Sequence, residues 1–281
     1  MKPYYKSLLI GCFVQIIFSC AEEISPPTNF TSKVVIFGNI TNHTDYLSIK
    51  IRKTFPLNST PSDPVNNATI SLFTKDKNKN TYLITDDFSV TDGTYESLQK
   101  ITPTIGNFYW IEVKVDDVTY QSSQELLRAP IDITNMEIVN NQLRAIFSDP
   151  LGETNHYFVN FSFYDPFDDF FLGEETEVSS DVLFDGNANA FIETFDYFGS
   201  NIEKRATLTH LNFETFQFYL NVIAQEESNQ GYDDEGLDPG RLFASPPTNL
   251  TGNILNTTTN QFALGYFGVV SISDEYIFIP Q

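Results

Sequence analysis

The chain has 281 residues and a formal net charge of −21, from 16 Lys and Arg against 37 Asp and Glu. That balance argues against an electrostatic grip on nucleic acid or on an anionic membrane surface. Two cysteines, Cys12 and Cys20, supply neither a disulfide scaffold nor a thiolate zinc site, and the three histidines, His43, His156 and His210, are too dispersed in sequence for a His-based metal centre.

Lys2 and Lys6 precede an apolar run from Ser7 to Phe18. The run is shorter than the roughly 20 apolar residues of a spanning helix, and its basic start makes residues 1–19 read as a signal peptide. Ser19-Cys20 closes it as in a bacterial lipobox, where a small residue precedes the cysteine that receives lipid. No Ala-x-Ala cleavage site stands nearby and no later cysteine could pair with Cys20. Cys20 is therefore the expected lipidation site, and loss of the leader leaves 262 residues carrying −23. An ordinary signal peptide ending in an incidental cysteine is the competing reading. Ala21, Glu22 and Glu23 resemble the acidic signal that sends Bacteroidota-type lipoproteins to the outer face of the outer membrane. Residues 20–32 are polar, contain Pro26-Pro27, and read as a lipidated tether.

With 26 Phe and 14 Tyr among many Thr, Val and Ile, the body reads as β-rich. Lys33 to Thr41 is a β-branched run without helical period. Tyr46 to Phe55 alternates, with Leu47, Ile49 and Ile51 on one face. The proline-rich stretch from Leu57 to Val65 reads as a loop, and Ala68 to Thr74 alternates again. Asp92-Gly93 marks a tight turn, and Asn107 to Val115 with Val118 to Ser122 reads as a hairpin. Strands at this spacing predict an immunoglobulin-like or transthyretin-like sandwich over residues 33–129, with Trp110 packed between its sheets.

After Ala129-Pro130-Ile131 a second β-rich domain, sandwich or barrel-like, is expected over residues 130–281. Its strands read as Ile133 to Val139, Gln142 to Phe147 and His156 to Tyr164, the last alternating Tyr157, Val159, Phe161 and Phe163 against His156, Phe158, Asn160 and Ser162. One amphipathic helix is predicted near 213–227. Asn212 would cap it, Glu214 suits its positive end, and Phe213, Phe216, Leu220 and Ile223 form the expected buried stripe.

Candidate chemistry is sparse. There is no G-x-S-x-G, H-E-x-x-H, P-loop or G-x-G-x-x-G pattern. Asp185, Asn187 and Asn189, with Glu193 and Asp196 further on, echo a calcium loop but depart from it at Ala190 and at Asp196, where glycine and glutamate are usual. Asn- and Gly-rich turns yield the same letters. Phe167, Phe170 and Phe171 sit among acids, including Asp168 and Asp169, where a monomer gains little from apolar surface. They are the expected partner-docking residues, with packing in their own domain as the alternative.

The series of lipobox, Lys33-Val34-Val35-Ile36-Phe37-Gly38, Gly93-x-Tyr95, Ala129-Pro130-Ile131 and Asp149-Pro150-x-Gly152 continues through Tyr157-Phe158 and the Asn-capped helix. It ends in Asn249-x-x-Gly252-Asn253-Ile254 and Gly265-Tyr266-Phe267-Gly268. This series resembles the Bacteroidota lipoprotein family known as domain of unknown function 4249, except that Leu255 to Phe262 is inserted before the final glycines. The resemblance carries over no catalytic residue and no cofactor. It implies a surface lipoprotein associated with a TonB-dependent, SusC-like outer-membrane β-barrel. The expected function is a non-enzymatic accessory subunit docked on that barrel, in nutrient uptake or outer-membrane assembly. A surface glycan- or peptide-binding module and a carboxylate-based hydrolase are the alternatives.

Overall fold

The computed structural model describes residues 31–55, 63–165, 167, 170–194, 202–229 and 250–278. The chain divides into two units, Met1–Ser32 and Lys33–Gln281. Cys20, Ala21, Glu22 and Glu23 lie outside the described residues, as do Asp168, Asp169 and Asp196.

The second unit is mostly β, with one helix, a large curled sheet and a second small sheet. Its first half contributes β1 (Val34–Thr41), β2 (Ser48–Lys53), β3 (Asp63–Pro64), β4 (Thr69–Lys75), β5 (Thr81–Thr85), β6 (Phe88–Thr91), β7 (Thr94–Ser97), β8 (Phe108–Val115), β9 (Val118–Ser122) and β10 (Glu125–Leu126). The alternation read from the sequence governs this sheet. Leu47, Ile49 and Ile51 are fully buried, and so are Ile36 and Ile40 on β1. Trp110 is buried and stacks on Phe73 at 5.4 Å between ring centres, so it packs, but on the face of β8 opposite Tyr109 and Ile111 and not in the core expected for it.

The second half contributes β11 (Ile133–Val139), β12 (Gln142–Phe147), β13 (His156–Asp165), β14 (Phe170–Ser180), β15 (Ala190–Glu193), β16 (Glu203–Leu211) and α1 (Phe213–Asn229). The chain ends with β17 (Thr251–Asn256), β18 (Gln261–Ile272) and β19 (Tyr276–Phe278). β11, β12 and β15 form the small sheet, which faces β13 and β16 across a core that includes Met136, Phe147, Tyr157, Val159, Phe161 and Leu208. Asn140 and Asn141 both take positive φ in the turn between β11 and β12, a conformation that Asn tolerates better than most residues.

β18 joins the two halves. It runs parallel to β1, from Val35 opposite Leu264 to Thr41 opposite Val270, while its far end pairs with β16 through His210 and Ser271. Residues 264–271 are buried throughout, so the strand is covered on both faces. Ile254 of β17 with Phe267 and Val269 of β18 belong to the first core. The expected division after residue 129 therefore marks where the chain leaves that core, and two strands from the later region complete it. The linker is held on its way across: the Ser271 hydroxyl donates to the carbonyl of Arg128, and a His210 ring nitrogen lies 3.1 Å from the carbonyl of Ala129.

Gly265 permits the parallel contact. Its φ is +94°, and a Cβ there would lie 2.0 Å from the carbonyl oxygen of Ile36, so no larger residue fits.

Candidate functional site

Where β10, β17, β18 and α1 meet, the carboxylate of Glu125 is buried at 3 % exposure. Its Oε1 accepts hydrogen bonds from the Tyr266 hydroxyl and from Asn253 Nδ2 at 2.6 Å. Its Oε2 accepts from the Val269 backbone N–H and the Thr215 hydroxyl, both at 3.2 Å. Asn253 also clamps Phe267, donating to its carbonyl at 2.8 Å and accepting from its N–H at 3.0 Å. Asn212, just before α1, gives its side-chain amide to the carbonyls of Val269 and Leu126, and its own carbonyl accepts the first helical bond from Phe216. Burial pushes the Glu125 carboxyl above its usual range, while the donors around it pull the other way. Burial and the adjacent Glu125 together hold the Tyr266 phenol protonated. This node ties helix to sheet.

Sequence reasoning missed Glu125 as a site residue. Nothing marks it locally, because Asn212, Asn253, Tyr266 and Val269 lie far along the chain. The closing motifs Gly252-Asn253-Ile254 and Gly265-Tyr266-Phe267-Gly268 supplied two of its partners, Asn253 and Tyr266, without showing what they bind.

A second polar cluster stands at the end of the β13–β14 hairpin away from its tip. Among the described residues, carboxylate oxygens of Asp149, Asp181 and Asp185 lie within 4.8 Å of one another. Each accepts from the chain itself. Asp149 takes the Tyr157 hydroxyl and the Gly186 N–H, Asp181 takes the Asn155 N–H at 2.7 Å, and Asp185 takes the Gly152 N–H at 2.8 Å. Among the described residues of the expected calcium loop, only Asp185 joins this cluster of acids. Asn187 Oδ1 accepts the Asn189 N–H at 2.9 Å within the turn, and Glu193 pairs with Arg144 at 2.6 Å. The letters at those positions thus build a turn, as Asn and Gly at such spacings do.

The expected docking rings lie at the tip of the β13–β14 hairpin. Phe167 is 90 % exposed, Phe170 67 % and Phe171 49 %, so none is a core residue. Phe171 touches Tyr164 across the hairpin at 5.6 Å between ring centres. The flanking Asp165 binds the Phe167 N–H at 2.8 Å.

Together these features define a two-core β protein whose last strands close its first core around a buried polar node. The chain matches the model of the family described as Domain of unknown function (DUF4249) over residues 21–275, and it belongs to that family. No curated protein matches it. Among solved structures, the pullulanase from Anoxybacillus sp. LM18-11 is 11 % identical, with 62 % of this chain and 24 % of that chain aligned at a TM-score of 0.21. The native form of E. coli alpha-2-macroglobulin is 8 % identical over 68 % of this chain and 14 % of that one, at 0.20. The calcium binding domain CBD12 of CALX1.1 is 9 % identical over 85 % and 98 %, also at 0.20. The chain thus spans about a quarter of the pullulanase and less of the macroglobulin, and at such scores these likenesses carry no argument about fold or function.

Proposed function

We propose that the protein is a lipid-anchored lipoprotein of the Bacteroidota outer membrane that faces the cell exterior. In this reading it serves as a non-enzymatic accessory subunit on a TonB-dependent, SusC-like β-barrel. Cys20 carries the lipid, and Ala21, Glu22 and Glu23 direct export. Among the described residues no helix is long and apolar enough to cross a membrane. Attachment through an N-terminal lipid needs none.

One observation carries the docking reading: Phe167, Phe170 and Phe171, at one hairpin tip, are all exposed to water. Large apolar rings left in water at one loop mark an interaction surface more often than single scattered apolar residues do. A few such anchors supply most of an interface's affinity, whereas neighbouring charges such as Asp165 act chiefly on orientation and encounter rate. The test is co-purification from detergent-solubilised outer membrane. Replacing Phe170 and Phe171 with Ser should abolish recovery of the barrel while the melting temperature stays nearly constant. Retained co-purification by a folded, membrane-bound variant would reject the hairpin as the docking surface. Cys20→Ala serves as the control, and its unchanged membrane partitioning would reject the anchor.

A further inference from the structure

The outer face of β1, β2 and β18 meets α1 along a cleft of about 290 Å³. Its floor opens at Gly268, which stands between Tyr266 and Val270 on the same face of β18 and pairs with Asn39. A Cβ at Gly268 would lie 3.1 Å from the Tyr266 ring, so any side chain there enters the cleft. One wall is aromatic. Phe218 of α1 stacks on Tyr266 at 4.8 Å and touches Phe37 at 6.3 Å, with Phe37 tilted by 56° and 41 % exposed. The rings form one continuous surface and not two facing plates, so a flat aromatic ligand finds no slot between them. Below this wall the Tyr266 hydroxyl is fixed by Glu125 and Thr215, which keeps the surface preorganised.

The opposite side is polar. Phe37 pairs directly with Lys50 across β1 and β2, with Asn39 and Ser48 on the same face. Among the described residues the side chains of Lys50, Asn39 and Ser48 have no hydrogen-bond or ion-pair partner from the chain. Lys50 is also, among the described residues, the one charged group lining the cleft, while Glu96, paired with Ser48, stands outside it. Asn39 and Ser48 offer both donors and acceptors, whereas Lys50 offers donors and a positive charge. Such a set matches hydroxyls beside an acidic group. A non-planar ring whose C–H bonds rest on the negative faces of aromatic rings suits the other wall. The volume lies near the lower end of small-ligand sites, which limits the occupant to one or two sugar rings. Since the chain carries −21, an anion reaches this face only where a local cation and close apolar contact offset the general repulsion.

We infer that this cleft binds a uronic acid unit of an acidic glycan, with its ring on Phe37 and Phe218 and its carboxylate on Lys50. The site is separate from the hairpin tip, so this inference does not rest on the docking reading. Calorimetric titration of the purified full chain with trigalacturonate and with a hyaluronan tetrasaccharide tests it, with maltotriose as the neutral reference. At least one acidic probe should bind about tenfold or more tightly than maltotriose. Lys50→Ala should erase that preference, and Phe37→Ala should weaken acidic and neutral sugars alike. Both residues are exposed, so both variants should melt near the parent temperature. Gly268→Val should fill the cleft and abolish binding. Failure of both acidic probes to bind, or binding unchanged in Lys50→Ala and Phe37→Ala, would overturn the assignment. So would tighter binding of a short peptide through its C-terminal carboxylate than of either acidic sugar.

Discussion

At Glu125 burial and hydrogen bonding act on one carboxylate in opposite senses, and burial wins. The folded protein therefore holds this proton to higher pH than the unfolded chain does. Its contribution to stability is complete below pH 4.5 and is lost as the pH rises through the folded value. Glu125→Gln has no such proton to lose. Urea unfolding at several pH values should show the parent-minus-variant stability difference falling as the pH climbs from 4.5. A difference independent of pH would show that the carboxylate titrates as it does in water. His156 and His210 work the other way: burial pushes both down from 6.5, so their contribution is present above that value and lost below it. Because both histidines remain in the variant, the subtraction removes them. At this scale the sequence revealed residues grouped by alternation within one strand, such as Leu47, Ile49 and Ile51. It could not reveal Glu125, whose partners come from three other elements, β17, β18 and α1.

Elements were more legible than their faces. The predicted helix near 213–227 is α1, Phe213–Asn229, and its inward side matches the expected stripe only in part, with Phe216 packed on His156 at 4.6 Å between ring centres. Phe213 is 56 % exposed and Leu220 38 %, while Thr215 is buried and Phe218 and Tyr219 pack on Tyr266 and Phe158. Two apolar stripes overlap in Phe-Glu-Thr-Phe-Gln-Phe-Tyr-Leu, and periodicity alone cannot rank them. The Thr215 hydroxyl, bound to Tyr266 and Glu125, settles which stripe turns inward. The β13–β14 hairpin provides a cleaner contrast, because each of its strands carries a phenylalanine in a different solvent. Phe161 is fully buried and Phe170 is 67 % exposed. Phe161→Ala should cost about 3–5 kcal/mol of unfolding free energy, the usual range for an emptied core site. Phe170→Ala should change it by less than about 0.5 kcal/mol, as surface substitutions commonly do. Chemical denaturation of the two variants reads both values, and equal losses would return Phe170 to the core.

For the whole molecule, the two β-rich regions expected either side of residue 129 correspond to two cores, but the chain does not finish one before starting the next. A fragment ending at Arg128 lacks Ile254, Phe267 and Val269 from the first core and uncovers Glu125. It should show no cooperative melting and a poorly dispersed amide spectrum. A dispersed spectrum with a sharp transition would mean that the first ten strands suffice alone. Local alternation identifies strands but not which strand lies beside which. The parallel partner of β1 comes from almost the far end of the sequence, and no signal within either strand announces the other.

The parallel contact also sets a timetable. Val35 meets Leu264 only after nearly all of the chain is available, and such distant pairings make folding slow because the intervening segment must be closed first. A chain delivered from its N-terminus keeps β1 paired with β2 along one edge and open along the other until Gln261–Ile272 arrives. An unpaired edge of that length invites association with other chains. Delivery in an extended state, with folding deferred until the final strands are free, avoids that hazard, so the last long strand acts as the clock for the first.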